Sequence, residues 1–148
     1  MTFMRRVLVF ADADNTHISA QSFNRKINWQ KIRDYLADPQ EGRELIEMVI
    51  YLGLPPDKER FTEQRKTKEK FIYWAKSNGF LVVTKEGKSK GNDYETNVDV
   101  VMAMDAIELA LEMIEDKEII PSRAYKPTIV LISDGIPTDN WEASFNKL

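Results

Sequence analysis

Four apolar runs of strand length punctuate the chain, alternating with segments whose apolar residues recur every three or four positions. Residues 7–10 (VLVF), 45–52 (LIEMVIYL), 80–84 (FLVVT) and 128–133 (TIVLIS) are rich in β-branched and bulky side chains. They lack steady polar alternation, as do strands buried on both faces of a parallel sheet. Between them, Asn28 is placed to cap a helix in WQKIRDYLA, with Trp29, Ile32, Tyr35 and Leu36 at helical spacing. Residues 57–78 predict an amphipathic helix on the sparse stripe Phe61, Phe71, Trp74 and Ala75, stopped by Asn78-Gly79. Residues 17–23 predict a short helix or an irregular segment, and KEGKSKGNDYETN (85–97) predicts a solvated surface loop. Residues 98–114, VDVVMAMDAIELALEMI, predict a helix so apolar that most of it is buried. A charged connection then leads to Pro127 and the fourth strand, after which Asp139 or Asn140 caps a final short helix, WEASFNKL. Strands alternating with helices define an α/β fold, Rossmann-like in its layering, with a mainly parallel central sheet of four or more strands. One domain over residues 1–148 is the expected organisation.

Composition narrows the chemistry. The chain has no Cys and one His, His17, which excludes disulfides, thiolate zinc sites, thiol nucleophiles and His-rich metal centres. An apolar content of 43% beside 30% charged residues describes a soluble globular protein, expected in the cytoplasm. The opening MTFMRRVLVF is too short in its apolar run for a signal peptide or membrane span, so no membrane partner is expected. A net charge of −3 gives no general affinity for nucleic acid, so any such contact must be local. No glycine-rich phosphate loop is present.

The local chemistry gathers where strands end. Asp12, Asp14 and Asn15 follow the first strand, and Asp134-Gly135 follows the fourth. Parallel strands bring both groups to the carboxyl edge of the sheet, where open α/β folds place their ligands. Asp99 opens the apolar helix and is expected nearby. Two carboxylates ~4 Å apart repel by ~1 kcal/mol in water and ~4 kcal/mol at an effective dielectric of 20. A cation, a proton or full solvation must relieve that. Simpler roles exist for some of these acids: Asp14 or Thr16 as a helix cap, and Asp99 as a partner of the helix dipole. Asp105 falls about 240° round the helix from Asp99 and does not share its face. Carboxylates without His or Cys favour Mg²⁺ or Mn²⁺. Such a cluster is equipment for phosphodiester hydrolysis. Lys85, Lys88 and Lys90 lead into it and are candidate contacts to a phosphate backbone. His17 reads as a surface or helix-start residue rather than a general base, Trp29 and Trp74 as core, and Asp139 as a cap.

In order along the chain, FADADN, NVDVVMAMDAIELAL and TIVLIS resemble the NYN domain, a branch of the PIN-like nucleases. That family shows an "iDgeN" strand end, a basic segment leading into "vDv…D", and a final "LvSGDsDF". The resemblance implies a PIN-like three-layer α/β/α sandwich and divalent-metal-dependent cleavage of RNA, single-stranded or structured. It places Asp12, Asn15 and Asp99 in the family's site positions and Asp105 at its second helix aspartate. Asp12, Asp99 and Asp134 are thus the expected catalytic acids, joined by Asp105 as metal ligands for Mg²⁺ or Mn²⁺. Asn15, Lys85, Lys88 and Lys90 are expected on the substrate. A homodimer is also admitted. The last motif departs from the family: this chain reads Ser133-Asp134-Gly135-Ile136-Pro137, with the aspartate one place forward and the second acid absent. VLISDGIPTDNW is also similar to von Willebrand A domains, whose D-x-S-x-S site aligns with Asp12-Ala13-Asp14-Asn15-Thr16. That alternative implies a metal-dependent protein-binding module. A PIN-like domain that binds RNA or protein without cleaving is the third.

Overall fold

The computed structural model describes residues 4–115 and 128–133. Asp134, Asp139, the SDGIP motif and the expected final helix lie outside the described residues. The elements run β1 (Arg5–Asp12), α1 (Ala13–Ser22), α2 (Trp29–Leu36), β2 (Arg43–Leu54), α3 (Thr62–Ser77), β3 (Leu81–Glu86), β4 (Lys88–Lys90), β5 (Asp93–Glu95), α4 (Val98–Glu115) and β6 (Thr128–Ile132). One sheet has the order β3-β2-β1-β6, with every neighbouring pair parallel.

β1 is flanked on both sides by strands and covered on both faces by side chains, which is why its sequence is a continuous apolar run. Val7, Val9 and Ala11 point to one face, where they pack with Ala13, Trp29, Met48, Ile50, Leu52 and Ala75 beneath α1, α2 and α3. Leu8 and Phe10 point to the other, joining Val49, Tyr51, Val98, Met102 and Ala106 beneath α4. The result is the expected three-layer α/β/α sandwich. Burial stabilises by roughly 1.5–3 kcal/mol per large apolar side chain, and this anchors β1 along its length up to Asp12.

Local signals account for the helix ends. Asn28 caps α2, accepting from the Lys31 N–H at 3.0 Å. α3 ends at Asn78, followed by Gly79 at φ +84°, a left-handed residue that glycine adopts without a Cβ clash. Arg65 clamps α3 to the sheet. Its guanidinium donates to both carboxylate oxygens of Glu86, at 2.7 and 2.8 Å, and to the Pro55 carbonyl at 2.8 Å.

Four expectations need correction. Residues 13–22 are regular helix, because Asp12 caps them, so neither Asp14 nor Thr16 is the cap. The segment after β3 is no irregular loop: β4 and β5 form an antiparallel hairpin across the two-residue turn Gly91-Asn92, with Gly91 at φ +59°. α4 is buried on one face only. Val100, Met104, Ile107 and Leu111 form a stripe whose members are each more than half exposed. Trp74 sits at the rim of the core, 37% exposed and stacked between Phe71 and Phe80, because Ala75 takes the inward position beside it.

Candidate active site

Asp12 is both the last residue of β1 and the N-cap of α1. Its Oδ1 accepts from the Asn15 backbone N–H at 3.2 Å and its Oδ2 from the Asn15 side-chain amide at 2.8 Å. The Thr16 hydroxyl donates to the Asp12 carbonyl at 2.5 Å. Asp12 is fully buried, and among the described residues no other charged side chain is. Burial pushes its carboxyl above the usual aspartate value; the two Asn15 bonds pull the other way, and the charges of Asp14 and Asp99 push it up further. Asp12 and Asp99 therefore feel one another across the β1–α4 junction. Asn15 spends its side-chain amide on Asp12, which makes it the residue that orients this carboxylate.

Asp14, in the first turn of α1, faces elsewhere. Its Oδ2 accepts from the Gly53 N–H at 2.8 Å, and its Oδ1 is paired with the Lys68 ammonium. Three elements thus meet at one carboxylate: α1, the end of β2 and α3. Lys68 escaped the sequence reading, although a signal was present. It stands three residues before Phe71 and seven before Ala75, on the inward stripe of α3, where a lysine needs an acid partner.

The hairpin walls the site on another side. A Cβ on Gly53 would lie 2.4 Å from the Thr96 methyl, and one on Gly87 would lie 2.8 Å from the Leu54 carbonyl. Both glycines are required by close approach. Tyr94 packs edge-on to Phe61, with the Lys68 ammonium 6.0 Å above its ring. The cavity so enclosed measures about 770 Å³ and is lined by Asp14, Asn15, His17, Lys68, Asp93 and Tyr94 among others. Asp12 lies just behind this wall, joined to it through Asn15.

The expected site residues divide. Asp12 and Asn15 are bonded to one another at the carboxyl edge, and the charge of Asp99 reaches Asp12. Lys85 sits on β3 opposite Gly53, half-buried at the same edge. Lys88 and Lys90 are exposed on the hairpin, and Lys90 is 3.4 Å from Glu95. Asp105 does not join the acids: it lies about 9 Å of helix rise beyond Asp99, and its Oδ2 accepts from the Tyr51 hydroxyl at 2.8 Å. Burial and that bond push the Tyr51 phenol far above its usual range. Among the described residues, no group of three or more acidic or imidazole side chains is arranged to hold a metal ion. Asp134, the third expected acid, lies outside them.

His17 is neither a free surface group nor a base aimed at the acids. Its Nε2 accepts from the Trp29 indole N–H at 3.0 Å, and Trp29 and Phe71 pack against its ring. Burial, and to a lesser degree the Lys68 charge, lower its pKa below the usual imidazole value, against the pull of Asp14.

A parallel α/β/α sandwich with acids converging at the carboxyl edge of its first strand is the PIN-like arrangement. The family model for the NYN domain matches residues 6–133, and the chain belongs to that family, within the PIN-like nuclease superfamily. No curated protein and no solved structure matches it significantly. No described helix is long and apolar enough to cross a membrane.

Proposed function

We propose that this domain is a divalent-metal-dependent endoribonuclease. One observation carries the reading: a fully buried carboxylate, Asp12, is held in place by both donors of Asn15 while Asp99 crowds its charge and Lys68 is already committed to Asp14. A structural cap needs none of that crowding, and a cation relieves it. The donors fit a hard ion, since they are all oxygens and no sulfur or imidazole stands among them. Asp12 and Asp99 would hold Mg²⁺ or Mn²⁺, with Asp134 as the third ligand; Asp105 is left to its bond with Tyr51. Bound there, the ion would supply an activated water and neutralise charge on the phosphate. Asn15 keeps Asp12 in one orientation. Lys85 at the sheet edge, with Lys88 and Lys90 on the hairpin, would hold the RNA backbone.

The test is cleavage of a labelled single-stranded RNA with Mn²⁺ or Mg²⁺, beside Asp12→Asn and an EDTA control. Metal-dependent cleavage that vanishes in the variant supports the reading. Folded protein that binds metal and leaves RNA intact overturns it.

A further inference from the structure

The groove beside the acidic edge does not stop there. Asp14, His17, Ile18 and Gln21 follow one another at helical spacing and form one stripe of α1, faced by Gln64, Lys68 and Phe71 of α3. About 10 Å of helix rise beyond Asp14, the groove meets a second cavity of about 350 Å³, which shares His17, Gln21 and Phe71 with the first. Its walls include Trp29, Phe71 and Trp74, and its rim carries Arg25 and Lys26.

Three properties of this cavity call for an occupant of one chemistry. Trp74 presents more than a third of its surface between the two rings it stacks on, Phe71 and Phe80, so part of the indole lies open at the wall. Trp29, 2% exposed, closes the cavity from behind with its indole N–H satisfied by His17, so the wall carries no unmet donor there. Arg25 and Lys26 have no ion-pair partner among the described residues, and no acid lines the cavity, in a chain where 24 acids outnumber 21 bases. A partly open indole beside free cations matches a base joined to its phosphate.

We propose that the Trp74–Phe71 cavity is a nucleobase subsite, in which one base of a single strand stacks while Arg25 and Lys26 hold its phosphate. The strand then follows the α1–α3 groove to the acidic edge. This rests on the RNA-directed reading of that edge and extends it to a second position on the substrate.

The experiment is fluorescence anisotropy of a labelled single-stranded RNA hexamer in EDTA, so that binding is read without chemistry. Two variants are compared with the wild type: Arg25→Glu with Lys26→Glu, and Ala20→Phe, which fills the cavity. Melting curves check their fold. Both are expected to bind about tenfold or more weakly, the loss that goes with one stacked base. Charge reversal should flatten the salt dependence of log K by about 1.4, two contacts at ~0.7 each for a single strand. A hexamer carrying abasic sites should bind like the variants. Equal binding by wild type and folded variants overturns the subsite, as does equal binding of the abasic strand or no RNA binding at all. RNA binding that needs this cavity, in a protein that never cleaves with Mn²⁺, leaves the subsite standing and sinks the nuclease reading instead.

Discussion

Lys68, midway along α3, is paired with Asp14 in the first turn of α1, and both side chains keep less than a quarter of their surface exposed. The pair disposes of one of two neighbouring carboxylates and leaves Asp12 to carry the edge's unbalanced charge. Lys68→Met is expected to destabilise the fold by roughly 2 kcal/mol, because Asp14 stays enclosed without its cation. Urea unfolding reads the loss. Adding Asp14→Asn to Lys68→Met should recover part of it, and a coupling below about 0.5 kcal/mol in that cycle would show the two residues to be independent.

Asp12 makes the opposite forecast. Its carboxyl titrates above the aspartate value of an unfolded chain, so the folded state holds the proton more tightly. Stability from this group is full below the unfolded value and is lost as pH rises through the folded one. Asp12→Asn keeps a good N-cap and removes the charge. It should raise the melting temperature at pH 7–8. At acid pH, with the wild-type carboxyl protonated, the gain should disappear. Saturating Mn²⁺ should stabilise the wild type more than the variant. A variant less stable at every pH would show that Asp12 serves only the helix.

His17 is the chain's one histidine, so its titration can be followed by NMR without assignment. Its pKa is depressed in the folded state, and unfolding therefore takes up a proton in mildly acid solution. Stability should be full above about pH 6.5 and fall as pH drops towards the folded value, where imidazolium can no longer accept from Trp29. His17→Phe should lose the Trp29 bond at a cost of ~1 kcal/mol and abolish this acid-side slope. A native imidazole that titrates near pH 6.5 would refute the buried contact.

Gly53 tests how the hairpin is held. A methyl group there meets Thr96 on three of its atoms, at 2.4 to 2.7 Å, while the Gly53 N–H holds Asp14. Gly53→Ala should cost about 1–3 kcal/mol through overpacking and weaken the proposed RNA cleavage, since β4, β5 and their lysines must move. Thr96→Gly in the same chain should restore part of the stability. No rescue would mean that the strain falls on the backbone of β2 instead.

How much of this could be read from the residues depended on how far each one's role was local. The VLVF run is legible because burial on both faces forces a continuous apolar sequence, and the residue that breaks it, Asp12, marks the edge. Asn28 is legible as a cap because the preference acts within three residues. The hairpin is not, since strands of three residues such as Lys88-Ser89-Lys90 have no room for an apolar alternation. Lys68 hides among the many charges of α3: its place on the inward stripe signals a need for an acid, but which acid, Asp14, stands 54 residues away. Trp74 misleads for a related reason: helical spacing identifies a stripe but not which member stands at its margin. Asp105 matched a family position by sequence, while its partner, Tyr51, was decided by sheet register.

The strand order carries a consequence in time. β1 is the first of the described strands to be made, yet one of its two neighbours, β6, pairs with it through residues about 120 positions later, Val7 with Thr128, and ties over such separations form slowly. During synthesis this strand, buried from Val7 to Asp12 in the finished fold, therefore waits with one row of N–H and C=O groups unclaimed, an edge that invites other chains. An emerging polypeptide of this sequence is most in need of a chaperone until its last described strand has left the ribosome.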